Sequence, residues 1–325
     1  MLGVERILVA LSQDEAHQNH KNALSDASRQ QILQSNTVVL EKAAALANAA
    51  DASVEVINVV YSPIAEMLVN ETEQNKALKT YVQRAAEAWL DDQLDGIRHQ
   101  VKSLTVATLW NKDEWQGILH AAEAAGADLI IKATPARHSA GLSVRTPQDW
   151  NLLRHATIPV MLIKPDAWIK HPIIMAAIDV LNDSQFELNK RILLEADSLT
   201  SILGGELAIV STYPMMAPWT GPAAVGVDFE QLRNDIEHLA RRALERLTRA
   251  AEVNYNYLYL EEGQPAMRVR ALVEETNAEM LVMGTMGRTG IKSLVIGNTA
   301  ETILNETHCD AVVLRHPSAT SAASG

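Results

Sequence analysis

Short apolar runs alternate with longer stretches of helical propensity along the whole chain. The first run covers 7–11, a helical stretch covers 14–50, and the next apolar run covers 54–60. Aliphatic runs of about four to eight residues are typical of buried parallel strands, and the stretches between them are long enough for crossover helices. The pattern therefore predicts an α/β fold with a parallel sheet and right-handed crossovers.

The same order of elements occurs twice. In the first half the predicted strands cover 7–11, 54–60, 101–109, 129–133 and 160–164, and the predicted helices cover 14–50, 71–99, 113–125 and 146–155. In the second half the predicted strands cover 173–178, 207–211, 255–260, 280–283 and 311–315, and the predicted helices cover 186–203, 228–251, 264–276 and 300–304. Each half is therefore expected to form a five-stranded sheet flanked by helices.

Internal alignment supports a tandem duplication. A shift of 151 residues places 110–164 on 261–315 without a gap, and a shift of 167 places Ser12 opposite Asp179. Self-similarity over this length is the signature of a repeat architecture. We therefore expect two domains, 1–166 and 171–317, followed by a disordered tail, 318–325.

A glycine-rich segment follows the fourth predicted strand of the second half. It reads Met283-Gly284-Thr285-Met286-Gly287-Arg288-Thr289-Gly290, and after a short run Gly297-Asn298-Thr299 leads into a helix. Glycine permits positive φ and close approach of the backbone to a ligand, and a helix start offers N–H groups to an anion. Asn298 and Glu301 also have the spacing of a capping box. The segment therefore predicts a phosphate-binding site.

The repeat shows that the first half lacks these glycines. Gly284, Gly287, Gly290 and Gly297 align with Ala133, Ala136, Ser139 and Thr146, and Asn298 aligns with Pro147. Side chains at these positions obstruct both positive φ and close contact with a phosphate. We therefore expect at most one nucleotide per chain, held in the second half.

Composition narrows the classes of partner. The formal net charge of −12 argues against nucleic acid as a partner. A single cysteine, Cys309, excludes an intramolecular disulfide. No apolar run is long enough to span a bilayer and no signal pattern precedes the first strand, so we expect a cytoplasmic protein without a membrane span. His17 and His20 lie one helical turn apart without a nearby carboxylate pair, and no metal site or catalytic residue is predicted.

The motifs of the second half resemble those of the universal stress protein family. The family's nucleotide loop has the form G-x2-G-x9-G-[S/T/N], which Gly284, Gly287, Gly297 and Asn298 satisfy. Asp179 ends the first strand of this half, as an Asp does in the family, and 262–265 resembles the family's G-x-P turn. The resemblance covers essentially the whole chain. It implies two tandem Rossmann-like domains, each a mostly parallel five-stranded sheet flanked by helices, packed as an internal pseudo-dimer.

The resemblance also implies a ligand and its contacts. It suggests a cytoplasmic stress-response protein whose second domain alone binds an adenine nucleotide, ATP or AMP, with Mg²⁺ accompanying ATP. The nucleotide-binding residues that it implies are Ala177, Asp179, Val210, Met283, Gly284, Thr285, Gly287, Arg288, Gly290, Gly297, Asn298 and Thr299. Ala300 departs from members that have a hydroxyl residue at this place.

Two alternatives remain open from the sequence. One is a slow ATPase, which would need a base or nucleophile that no motif supplies. The other is an interaction protein, because 213–222 forms a long loop rich in Met, Trp and Pro after a strand, and 61–67 lies at the same position in the first half. Long loops in compact domains are often binding loops, so an apolar small ligand or a protein partner is also predicted.

Overall fold

The computed structural model describes residues 3–12, 26–68, 73–133, 146–215, 228–285 and 296–315. These residues divide into two compact units, Gly3–Trp168 and a second unit from Ile169 onward, called here the first and the second domain. The predicted tail, 318–325, and the histidines His17 and His20 lie outside the described residues.

The first domain is a parallel sheet covered by helices. Its strands are β1 (Arg6–Leu11), β2 (Ser53–Val60), β3 (Leu104–Trp110), β4 (Leu129–Ala133) and β5 (Val160–Ile163), and its helices are α1 (Asp26–Ala50), α2 (Pro63–Leu68), α3 (Glu73–Leu94), α4 (Glu114–Ala125) and α5 (Pro147–His155). The strand order is β3-β2-β1-β4-β5, and all four pairings are parallel. Helix α2 lies where the sequence predicted an apolar loop.

The second domain repeats this arrangement. Its strands are β6 (Ile173–Ile178), β7 (Glu206–Tyr213), β8 (Tyr257–Glu262), β9 (Met280–Thr285) and β10 (Asp310–Arg315), and its helices are α6 (Phe186–Leu203), α7 (Phe229–Ala251), α8 (Pro265–Thr276) and α9 (Asn298–Glu306). The strand order is β10-β9-β6-β7-β8, again with four parallel pairings. The predicted α/β fold with two Rossmann-like repeats is confirmed, and the packing of the halves as a pseudo-dimer stays a prediction.

The central strands owe their position to their composition. β1, β4, β6 and β9 consist mainly of Val, Ile, Leu, Ala and Met, and nearly all of these side chains are buried. Strands that are apolar on both faces need helices on both sides of the sheet, which the crossovers supply. In the second domain the chain order reverses between β6 and β9, so a crevice forms at their carboxyl ends, where open α/β sheets bind ligands. Among the described residues, no helix is long and apolar enough to cross a membrane.

The turn that connects α6 to β7 requires a residue without a side chain at Gly205. A Cβ at this residue would lie 2.2 Å from the Pro172 carbonyl oxygen, which accepts a hydrogen bond from the Glu206 N–H. We expect Gly205→Ala to lower the free energy of unfolding by about 1–3 kcal/mol, because backbone must move to admit the methyl group. Urea unfolding of the variant measures the loss. Gly96→Ala is the matched control, since a Cβ at Gly96 meets no atom within 4 Å, and equal losses in the two variants would contradict this account.

Candidate functional site

A cavity of about 950 Å³ opens at the carboxyl ends of β6, β7 and β9 in the second domain. Its wall also includes the N-terminal turns of α8 and α9. Eight of the predicted nucleotide-binding residues lie on this wall, namely Ala177, Asp179, Val210, Met283, Gly284, Gly297, Asn298 and Thr299. The structure therefore brings together residues that are up to 122 positions apart in the sequence (299 − 177).

The other four predicted residues do not contribute to the described wall. Gly287, Arg288 and Gly290 lie outside the described residues. Thr285 is described, but its side chain is buried and its hydroxyl donates a hydrogen bond to the Leu314 carbonyl oxygen of β10 at 3.4 Å.

Asp179 is held at the mouth of the cavity by a buried asparagine that sequence reasoning missed. The Asp179 N–H donates to Asn189 Oδ1 at 3.2 Å, and Asn189 Nδ2 donates to the Asp179 carbonyl oxygen at 2.7 Å. These two bonds fix the backbone from which the carboxylate projects. In the first domain Asn36 donates to the Ser12 carbonyl oxygen at 3.1 Å in the same way, but neither alignment shift of the repeat places Asn36 opposite Asn189.

The carboxylate of Asp179 is partly desolvated by the cavity wall. Although part of its surface is exposed, burial by the surrounding cavity wall raises the pKa of Asp179 above its ordinary value of 3.8, and a hydrogen bond from the Leu181 backbone opposes this shift. A carboxylate that has lost part of its hydration gains from a hydrogen-bond donor on a ligand. Asp179 is therefore suited to accept hydrogen bonds from hydroxyl or N–H groups.

Helix α9 begins at the cavity without a side-chain cap. Its N-cap residue is Gly297, with φ −67° and ψ 144°, and no side-chain hydrogen bond closes the first turn. The predicted capping box of Asn298 with Glu301 is wrong, because Asn298 is already the first helical residue and the Glu301 N–H donates to the Gly297 carbonyl oxygen. The uncapped N–H groups of a helix start form an anion-binding site.

The N-terminus of the corresponding helix in the first domain, α5, is capped by side chains. Thr146 is the N-cap of α5 with nearly the same backbone, φ −73° and ψ 157°. The Asp149 N–H donates to Thr146 Oγ1 at 3.2 Å, and the Thr146 N–H donates to Asp149 Oδ2 at 3.0 Å, which completes a capping box. Pro147 at the first helical position has no N–H. The side chains of the first domain therefore take the hydrogen bonds that an anion would need.

Positive φ does not explain the glycines at 284 and 297. Neither Gly284 nor Gly297 has positive φ. A Cβ at Gly284 would lie 2.6 Å from Leu188 Cδ2 and 3.2 Å from Ile192 Cδ1, both in α6. Glycine at this position therefore permits close packing of α6 on β9 at the back of the cavity.

A second residue that sequence reasoning missed is Ser211 of β7. It belongs to the cavity wall and is only 1% exposed, and its hydroxyl has no hydrogen-bond partner among the described residues. A buried hydroxyl without a partner costs about 1–3 kcal/mol, so native structures rarely leave one unexplained.

Sequence comparison places the chain beside proteins with this architecture. The sequence model of the universal stress protein family matches residues 33–164 and 173–315, which confirms the tandem domains. Universal stress protein E of Photorhabdus laumondii is 24% identical over 75% of this chain and 79% of its own length. The homologue of universal stress protein E from Haemophilus influenzae is 28% identical over 64% of this chain and 68% of its own length.

Solved structures agree with the fold. A universal stress protein from Archaeoglobus fulgidus has a TM-score of 0.64 and 16% identity, covering 96% of this chain and 98% of its own. A Pseudomonas aeruginosa PAO1 protein of unknown function has a TM-score of 0.69 and 22% identity, covering 99% and 96%. Similarity at this level of identity concerns the fold alone.

Proposed function

Because the chain belongs to the universal stress protein family, we propose that it serves the stress response by binding one adenine nucleotide, ATP or AMP, in its second domain. The observation that carries this proposal is the uncapped start of α9 on the wall of a cavity that also contains the Asp179 carboxylate. The first group suits a phosphate, and the second suits the donors of a nucleoside.

The cavity fits such a ligand in size and chemistry. Its volume of about 950 Å³ is near the upper end of the range for small-molecule pockets, which is about 300–1,000 Å³. Mg²⁺ accompanying ATP would be held mainly by phosphate oxygens, and within the described ranges no group of three His, Cys, Asp or Glu residues forms a metal site. Contacts from Gly287, Arg288 and Gly290 remain predictions.

An apolar small ligand is the second candidate, and one feature of the wall favours it. Met215 is 67% exposed at the cavity, and the wall also includes the largely buried apolar side chains of Val269, Met283 and Ile303. Methionine adapts its shape to irregular apolar ligands. An apolar ligand would use this surface and leave Asp179 and the start of α9 unused.

Calorimetric titration tests the proposal after a denatured extract has been analysed for co-purified nucleotide or lipid. We expect saturable heat with ATP and with AMP, and weaker binding of adenosine because it lacks the phosphate. A protein free of bound nucleotide that gives no heat with any of the three would refute the proposal. Lipid in the extract would favour the apolar ligand, and ADP accumulating in the ATP sample would favour the slow ATPase.

A further inference from the structure

The first domain carries a charged side chain where the second domain has a cavity-lining methionine. In the first domain Ala10 of β1 pairs with Lys132 of β4, and in the second domain Ala177 of β6 pairs with Met283 of β9. Lys132 and Met283 therefore occupy the same register position in equivalent strands. Met283 lies on the cavity wall, and both side chains are buried, Met283 at 4% and Lys132 at 3% exposed.

Three further positions on the cavity wall of the second domain have equivalents in the first domain. The two members of each pair occupy equivalent places in the two domains. The first pair lies directly after the first strand, the second at the first residue of a helix, and the third at the third residue of another helix. The pairs are Ser12 with Asp179, Glu114 of α4 with Pro265 of α8, and Asp149 of α5 with Ala300 of α9. All four positions thus carry polar or charged side chains in the first domain.

These four side chains contact one another and are called here the Lys132 cluster (Ser12, Glu114, Lys132 and Asp149). Lys132 Nζ lies 2.7 Å from Glu114 Oε1, 3.0 Å from Ser12 Oγ and 3.7 Å from Asp149 Oδ1. The side chains of Lys132, Asp149 and Glu114 are 4%, 2% and 22% exposed. The cluster therefore fills the equivalent place with paired charges.

The charge of Lys132 excludes a catalytic pair in which Ser12 is the nucleophile and Lys132 its base. Burial by itself lowers the pKa of Lys132, but the Glu114 and Asp149 carboxylates and their hydrogen bonds raise it by more, so it lies above the ordinary value of 10.5. A lysine that stays protonated at neutral pH cannot accept a proton from the Ser12 hydroxyl. The cluster is a set of paired charges rather than a nucleophile with its base.

We propose that the Lys132 cluster is a built-in occupant of the first domain's ligand position, so that this domain folds without a ligand and keeps nucleotides out. The argument is independent of nucleotide binding in the second domain. The Lys132 ammonium is already matched by two carboxylates, which would repel a phosphate. Removal of one member of such a buried set is costly, because the remaining charges keep their desolvation without compensation.

The first test changes Lys132 into the residue of the second domain. We expect Lys132→Met to lower the unfolding midpoint of the first domain by about 10 °C, because Glu114 and Asp149 lose their counter-charge. Hydrogen exchange of peptides from 3–168 and from 169 onward assigns the loss to a domain. The neutral variant Glu114→Gln/Lys132→Met/Asp149→Asn is expected to recover most of the midpoint. An unchanged midpoint in Lys132→Met, or a neutral variant as unstable as Lys132→Met, would overturn the proposal.

Chemical rescue tests whether the space that Lys132 fills can bind a separate cationic ligand. Lys132→Ala vacates space beside two carboxylates, which a small primary ammonium ion can enter. We expect n-propylammonium chloride, which has the three carbons and the ammonium group that the substitution removes, to raise the midpoint of Lys132→Ala in a concentration-dependent way, because a ligand that binds only the folded state stabilises it. Sodium chloride at the same ionic strength should not do so, and neither salt should raise the midpoint of the neutral variant. Absence of rescue by n-propylammonium would overturn the occupant proposal even if nucleotide binds the second domain as proposed.

Discussion

A Gly297→Thr variant is expected to bind ATP and AMP about 10- to 100-fold more weakly than the wild-type protein, and to bind adenosine equally well. Gly297 already has nearly the φ and ψ that Thr146 adopts at the start of α5, so threonine can take this backbone conformation without strain. Its hydroxyl would accept the N–H of Ala300, as Thr146 accepts that of Asp149. Competition with the phosphate removes a hydrogen bond to a charged group, which is worth about 1.5–3 kcal/mol.

Folding should be almost unaffected by this change, because glycine and threonine differ as N-caps by only a few tenths of a kcal/mol. Titration calorimetry measures the affinities, and urea unfolding measures the stability. Thr146→Gly in the first domain is the matched control and should leave nucleotide affinity unchanged. Equal weakening of adenosine and ATP in Gly297→Thr would show that the substitution acts on the whole cavity, which would contradict a phosphate site at α9.

An Asp179→Asn variant is expected to weaken adenosine, AMP and ATP by a similar factor of about 10 or more. The carboxylate is a stronger acceptor than the amide that replaces it, and a charge-assisted bond to the nucleoside is worth about 1.5–3 kcal/mol. The same titrations measure the effect. Asp51→Asn, which changes an exposed carboxylate of the first domain, is the control. Loss of ATP binding with adenosine binding retained would place Asp179 beside the Mg²⁺ that accompanies ATP rather than beside the nucleoside.

The same variant should be more stable than the wild-type protein at pH 7. The pKa of Asp179 is raised in the folded state above 3.8, so folding penalises the ionised carboxylate. This penalty is present at neutral pH, shrinks as the pH falls through the raised pKa, and is absent below the unfolded value. Urea unfolding at a series of pH values should therefore give the Asn variant the higher free energy of unfolding at pH 7. The difference between the two proteins should shrink as the pH falls. A variant that is less stable at pH 7 would contradict the proposed environment of Asp179.

The sequence predicted the elements and the asymmetry of the halves because both depend on local pattern. The aliphatic runs of β6 and β9 specify buried parallel strands, and Pro147 opposite Asn298 already indicates that the start of α5 is a poor anion site. The cap of α9 was misassigned because Gly297 and Asn298 are both acceptable N-cap residues. Only the backbone angles of Gly297 decide between them.

The hydrophobic and polar pattern of the sequence does not predict contacts between elements that are distant along the chain. Lys132 aligns with Met283 in the repeat, yet its partners Glu114 and Asp149 approach it only when α4, β4 and α5 meet at one edge of the sheet. Asn189 is ten residues from Asp179 and contacts it only after α6 packs against β6. Helix α2 escaped prediction because six residues after a strand are too few for helical periodicity to emerge.

Equilibrium dialysis with ATP, counted per chain, tests the central claim most directly. The account predicts that the wild-type protein binds one ATP per chain at saturation, that Thr146→Gly also binds one, and that Gly297→Thr binds almost none at the same free concentration. Two ATP per chain would contradict it, as would a single ATP that persists in Gly297→Thr and disappears in Thr146→Gly.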